Sequence, residues 1–189
     1  TNADGESEDQ VARIVLSMKE FSHPGGTEKT TTDINRVLSN VIVISRNEWK
    51  HNADITEEFD PEIPHIPCHI NEVNQVFLNL IVNAAQAIQA AGRKPDEGHI
   101  TVKTTSLDDS ILISISDNGT GIAKENRSKV FNPFFTTKAK GEGTGLGLSI
   151  SRDILSRYGG TIEARNLPTG GAQLTFQLAA REKVKVLAG

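Results

Sequence analysis

Four side-chain amides, Gln75, Asn79, Asn83 and Gln86, step along the segment from Asn71 to Ala91 by four, four and three residues. That spacing lines them up on one side of an α-helix. Amides donate and accept hydrogen bonds, and their oxygens can ligate a hard cation such as Mg²⁺. The same stripe also reads as an ordinary solvated polar face. Asp117 ends an apolar run and opens Asp117-Asn118-Gly119-Thr120-Gly121. A carboxylate there only accepts, so it could take a hydrogen bond from an exocyclic amine such as that of adenine. Gly119 and Gly121 permit tight turns and close approach to a planar base. Asp and Gly are equally common in plain turns. Gly141 to Gly147, GEGTGLG, stands directly before a helical stretch, where backbone N–H groups can converge on an anion at the helix N-terminus. A flexible helix entry fits it too. It lacks the GxxxxGK[ST] pattern, and no strand precedes it as a dinucleotide fingerprint requires.

These residues need elements to hold them. Between the amides, Val76, Phe77, Leu80, Ile81, Ala84, Ala87 and Ile88 recur at helical spacing, so the segment carries one broad face for burial. Before it, residues 30–33 suggest a short edge strand, Ile34 to Trp49 a helix with Asp33 as N-cap, Asp54 to Phe59 a short strand, and PEIPHIPCH a loop. After it come two strands, His99 to Ser106 and Ser110 to Asp117, then a long stretch, Ile122 to Gly143, containing Phe131, Phe134 and Phe135. Loops of that length in a compact domain are usually functional. A helix from Leu146 to Tyr158 and a hairpin of 161–165 with 172–178 close the pattern. The order predicts an α/β (α+β) two-layer sandwich, with a mixed, mostly antiparallel sheet covered on one face by helices.

Composition excludes several classes. A chain of 189 residues has room for one good core. A net charge of −4 gives no support to a nucleic-acid footprint. The single cysteine, Cys68, rules out an internal disulfide and a Cys-rich zinc site, and suggests a buried thiol in a reducing compartment. No apolar run reaches the length of a membrane span. The first residue is not Met, so a piece of a longer protein is expected, with any targeting or membrane segment outside it. Residues 1–9 are polar and acidic. Residues 10–21 carry an amphipathic pattern that ends at His23-Pro24-Gly25-Gly26.

Taken together, Asn79-Leu80-Ile81-Val82-Asn83-Ala84, Asp117-Asn118-Gly119-Thr120-Gly121-Ile122, Phe134-Phe135-Thr136-Thr137-Lys138 and Gly143-Thr144-Gly145-Leu146-Gly147-Leu148 resemble the N, G1, F and G2 boxes of sensor histidine kinases, of the GHKL or Bergerat-fold ATP-binding superfamily. Thr169-Gly170-Gly171-Ala172 looks like the last, weaker glycine box. The resemblance implies ATP and Mg²⁺ as ligands. Asn83, with Asn79, would hold the metal. Asp117 would read the adenine amine, with Gly119, Gly121 and Ile122 at the base. The segment between Asn118 and Gly143 would be a mobile lid, its Thr137 and Lys138 reaching the phosphates. Beside that, the apolar side chains of Phe131 and Phe134 read more simply as pinning the segment to the core. Gly143, Thr144, Gly145, Leu146 and Gly147 would cradle the triphosphate.

Hydrolytic members of the superfamily carry a water-activating Glu where this chain has Asn79, and an amide cannot act as a base. A kinase is therefore expected, with Asn79 and Lys138 in the catalytic machinery. A GHKL-type hydrolase and a non-catalytic nucleotide-binding regulator are the alternatives. None of the five histidines has the acidic neighbour and helical setting of a family phosphoacceptor. The implied layout is a disordered end plus a remnant of the second dimerisation-hairpin helix in 1–25, an ATP-binding kinase domain in 26–182 and a tail in 183–189. Implied partners are the histidine-bearing dimerisation domain of the same protein and a response-regulator receiver domain, with no nucleic acid. The implied full-length protein is a homodimer, and this part of it a cytoplasmic domain, with any inner- or plasma-membrane anchor elsewhere in the protein.

Overall fold

A computed structural model describes residues 29–94, 96–138 and 144–180. The amphipathic stretch at 10–21, Gly143 and the tail lie outside the described residues. In chain order the elements are β1 (Thr30–Thr32), α1 (Ile34–Ile44), α2 (Arg46–Trp49), β2 (Asp54–Glu58), β3 (Ile66–Cys68), α3 (Ile70–Ala90), β4 (His99–Leu107), β5 (Ser110–Asp117), a 3₁₀ turn (Lys124–Asn126), α4 (Gly147–Arg157), β6 (Ile162–Asn166) and β7 (Ala172–Ala179).

The main sheet runs in the order β2-β4-β5-β7-β6. Only β2 and β4 pair in parallel, Asp54 opposite His99, because helix α3 carries the chain between them; the other pairs are antiparallel. Alternation divides the sheet. Ile111, Ile113 and Ile115 of β5 are buried with Ile100 and Val102 of β4 and Leu174, Phe176 and Leu178 of β7, while Leu112, Ser114 and Ser116 stay partly exposed on the other face. The helices join the buried face in one hydrophobic cluster. This is the two-layer, mostly antiparallel arrangement expected from the element order.

Helix α3 seats that layer. Val73, Val76, Phe77, Leu80, Ile81, Ala84 and Ile88 form its buried face, and the Phe77 ring lies 5.8 Å from that of Phe176, centroid to centroid. Two local details differ from expectation. Ile34 to Trp49 is not one helix but two. Ser45 adopts a non-helical ψ of 5° and its hydroxyl donates back to the Ile42 carbonyl, which also accepts from the Trp49 indole. Those side-chain bonds replace the regular ladder at that point. Within PEIPHIPCH, Ile66–Cys68 forms a strand, pairing antiparallel with β1. Pro67 hides it, since proline within a strand donates nothing and is confined to edges. Asp33 caps α1 as expected, accepting from the Arg36 N–H.

Because Phe77 is fully buried against Phe176, Phe77→Ala should cost about 3–5 kcal/mol of folding free energy in urea unfolding. A loss below about 1 kcal/mol would mean that α3 is not seated on β7.

Candidate functional site

The burial that fixes the rotation of α3 leaves its amide side facing a cavity of about 400 Å³. Leu78, Asn79, Val82, Asn83 and Gln86 line it from α3; Val130, Phe135, Thr136, Thr137 and Lys138 from the long loop; and Thr144, Gly145, Gly147 and Leu148 from the entry to α4. Seven of the expected site residues thus meet in one space: Asn79, Asn83, Thr137, Lys138, Thr144, Gly145 and Gly147.

Asn79 spends its amide nitrogen on α4. Nδ2 donates to the Gly147 carbonyl at 3.1 Å and to Ser151 Oγ at 3.3 Å, while the Ser151 hydroxyl donates to the same carbonyl at 2.8 Å. The Asn79 oxygen is left for another partner. Asn83, one turn on, has no side-chain hydrogen bond among the described residues, so its amide is available to a ligand. Among the described residues no three His, Cys, Asp or Glu side chains cluster as a metal site. A cation bound in this cavity would take amide oxygens and ligand phosphates, a donor set that suits Mg²⁺.

Helix α4 starts without a side-chain cap among the described residues, which leaves the N–H groups of its first turn, beside the cavity, without an intrahelical partner. Such a terminus favours an anion. Gly145 sits at φ +67°, and a Cβ there would come within 2.4 Å of the Phe134 carbonyl carbon; only glycine lets the loop lie this close. Lys138 donates from Nζ to Gln86 Oε1, and desolvation lowers its pKa below the usual lysine value. A bound anion would offset that penalty. Phe131 packs on the core as expected. Phe134 does not: it is 74% exposed with φ +64°, because the turn that brings its backbone to Gly145 points its ring outward.

Asp117, Gly119, Gly121, Ile122 and Leu146 are not in the lining of this cavity. Asp117 is buried at the end of β5, with Oδ1 accepting from the N–H of Gly119 at 2.8 Å and of Ala172 at 3.3 Å. Burial raises its pKa above the usual carboxylate value, against the opposing effect of those two backbone bonds. The loop that follows lies against α3: a Cβ on Gly119 would be 2.4 Å from the Ala87 carbonyl carbon, and the Thr120 N–H donates to the Ala87 carbonyl at 3.2 Å. Ala87 directly follows Gln86 of the cavity wall, so the carboxylate region and the amide-lined cavity adjoin along one helix. Leu146 is the N-cap residue of α4, where its backbone rather than its side chain contributes.

Two residues at the site gave no signal in the sequence. Ser151 looks like any helix serine, and Asn166 like a polar residue before a turn. Both act through contacts distant along the chain, Ser151 on Asn79 and Asn166 on Ile122.

Residues 68–182 match the family described as Histidine kinase-, DNA gyrase B-, and HSP90-like ATPase. The sensor histidine kinase ZraS of Klebsiella oxytoca is 32% identical over 197 residues, covering 98% of this chain and 41% of ZraS. The chain therefore spans well under half the length of that relative. The catalytic domain of histidine kinase ThkA, in a nucleotide-free form, superposes with a TM-score of 0.70 at 31% identity, over 82% of this chain and 97% of that one. ThkA in complex with the response regulator protein TrrA superposes with a TM-score of 0.66 at 27% identity, over 94% of this chain and 49% of that one. With the match to residues 68–182 covering more than half of its length, the chain belongs to the histidine kinase-, DNA gyrase B- and HSP90-like ATPase family.

Proposed function

We propose that this chain is the ATP-binding catalytic unit of a two-component sensor histidine kinase, within residues 26–182, passing the γ-phosphoryl group of ATP to a histidine on a separate dimerisation segment of the same protein. The observation that carries this reading is the meeting of Asn79, Asn83, Lys138 and the uncapped start of α4 in one cavity, beside the buried Asp117. Asp117 accepts from the adenine amine, with Gly119, Gly121 and Ile122 about the base. Asn83 and the free oxygen of Asn79 would hold Mg²⁺, which would neutralise charge on the phosphate oxygens. Thr137 and Lys138 approach the phosphates from the lid, and residues 143–147 receive them at the helix terminus. Phosphoryl transfer asks mainly for positioning and charge neutralisation, and this site offers both.

Hydrolysis would need a base to activate water, and Asn79 is no base. None of the described histidines stands on a helix face beside an acid: His51 and His65 lie in turns and loops, His69 is the N-cap of α3, and His99 begins β4. His23 lies outside the described residues and is followed by Pro24 and Gly25 rather than an acid, so on this reading the nucleophile comes from another segment of the protein. A receiver domain is the natural acceptor of the phosphoryl group downstream, a reading supported by the ThkA complex with a response regulator. The whole protein is a homodimer on this reading. Among the described residues no helix is long and apolar enough to cross a membrane.

Three outcomes are expected. First, calorimetry should show ATP binding well above GTP, because guanine presents a carbonyl where adenine has its amine. Asp117→Asn should lose on the order of 1–3 kcal/mol of ATP affinity while melting no lower than the parent at pH 7. The sign follows from burial. With the folded-state pKa raised, the group favours folding while protonated, and that contribution is lost as pH rises through the folded value. The substitution removes the ionised cost yet keeps an oxygen for Gly119 and Ala172. Equal affinity for ATP and GTP would sink the role given to Asp117.

Second, Asn83→Ala should weaken ATP binding in Mg²⁺ roughly tenfold more than in EDTA. The same loss in both buffers would reduce Asn83 to a structural residue. Third, the chain incubated with γ-labelled Mg-ATP should not label itself. Addition of the histidine-bearing hairpin should produce acid-labile phosphohistidine on that hairpin, since holding an acceptor in place supplies much of the barrier reduction. Stoichiometric label on any of the chain's own histidines, read by mass spectrometry at neutral pH, would overturn the assignment of the acceptor.

A further inference from the structure

The turn between β6 and β7 grips the Asp117–Ile122 loop through Asn166, Gly171 and Ala172. Asn166, the last residue of β6, accepts at Oδ1 from the Ile122 N–H at 2.8 Å and donates from Nδ2 to the Ile122 carbonyl at 2.9 Å. One amide thus takes both backbone polar groups of a residue 44 positions away in sequence. The partners also decide which end of the amide is which. Turned over, it would set oxygen against oxygen and N–H against N–H.

The rest of the turn reinforces the grip. A Cβ on Gly121, at φ +69°, would lie 3.2 Å from both Asn166 Oδ1 and the Gly171 carbonyl oxygen. Gly171, at φ +80°, approaches so closely that a Cβ there would be 1.9 Å from the Asp117 carbonyl oxygen. The adjoining Ala172 N–H reaches Asp117 Oδ1. The turn itself does not use the Asn166 amide: it closes on its own backbone, Leu167 N–H to the Gly171 carbonyl and Gly170 N–H to the Leu167 carbonyl. The side chain is therefore spent on Ile122 alone.

We propose that Asn166 is a positioning residue for adenine recognition, locking the Ile122 backbone so that Ile122 and Asp117 keep a fixed spacing around the base. This rests on the reading of Asp117 as the base-reading group. The last glycine box, Thr169–Ala172, is then part of the frame of the base site rather than a contact to phosphate. With both ends of its amide on the Ile122 backbone, Asn166 acts on the base through the loop.

The split between base and phosphate binding tests it. The full 189-residue chain, Asn166→Ala and Asn166→Asp are titrated by calorimetry with adenosine, with Mg-ATP and with inorganic tripolyphosphate plus Mg²⁺, and circular dichroism checks that each is folded. Asn166→Ala should weaken adenosine and ATP by the same factor, about tenfold for two lost hydrogen bonds, and leave tripolyphosphate unchanged. Asn166→Asp should do at least as badly at pH 7, because its carboxylate keeps the acceptor but faces the Ile122 carbonyl with no donor. If Asn166→Ala does not fold, Asn166→Ser, which offers a single hydroxyl in place of the amide, takes its place and should fall between parent and Asp. Parent-like adenosine affinity in a folded Ala or Ser variant overturns the proposal. So does an equal loss for tripolyphosphate, which would report general damage to the site. A parent chain that binds neither adenosine nor ATP would overturn the kinase reading instead.

Discussion

The seating of α3 on the sheet is the constraint on which everything else depends. Phe77, Leu80, Ile81, Ala84 and Ile88 leave the helix one way to lie against β5 and β7, and a rotation of even one residue would expose part of that face. Fixing the rotation also aims the opposite side, so Asn79, Asn83 and Gln86 face the cavity without any polar contact having to set their direction. Burial, which is non-directional, acquires direction through helical periodicity. The close approach of Gly119 to Ala87 then fixes where the carboxylate end of the site lies along the same helix.

Asp117 shows the opposite economy. A carboxyl group held under the surface at the end of a buried strand is penalised by desolvation, and two backbone N–H groups offset that only in part. Folding alone would be served as well by an amide. Groups whose environment disfavours the charge they carry cluster at functional sites, and a ligand amine meeting the carboxylate would return some of what burial takes. Lys138 is in the same position on the long loop, its ammonium partly desolvated with the neutral Gln86 amide as its side-chain partner among the described residues.

Most of the helices, the strands of the main sheet and the three chemical segments were legible in the sequence because each has a local cause. Apolar spacing gave α3 and α4, alternation gave β5, and glycine before a helix marked the start of α4. What stayed hidden depended on contacts far apart in sequence. The break at Ser45 needs the Trp49 indole to fold back on Ile42, and β3 shows as a strand only once Thr30–Thr32 is beside it. Phe134 was expected in the core on the strength of its apolar side chain, but its positive φ, set by the approach to Gly145, turns it outward. Ser151 and Asn166 carry no local signature, since their partners lie on other elements.

The amide at position 79 ties fold and chemistry together. Its nitrogen is committed twice, to the Gly147 carbonyl and to Ser151, and both partners belong to the first turns of α4. A carboxylate in its place would offer the Gly147 carbonyl no donor and would set oxygen against oxygen in a part of the fold where Ser151 is fully buried. Ser151 could turn to donate to such a carboxylate, but only by giving up the carbonyl it now satisfies. The residue type that would supply a base for hydrolysis is thus the type that this junction between α3 and α4 resists. The packing of α4 on α3 and the presence of an amide rather than a carboxylate at 79 have one cause, and a variant with a carboxylate there would need α4 to start differently as well.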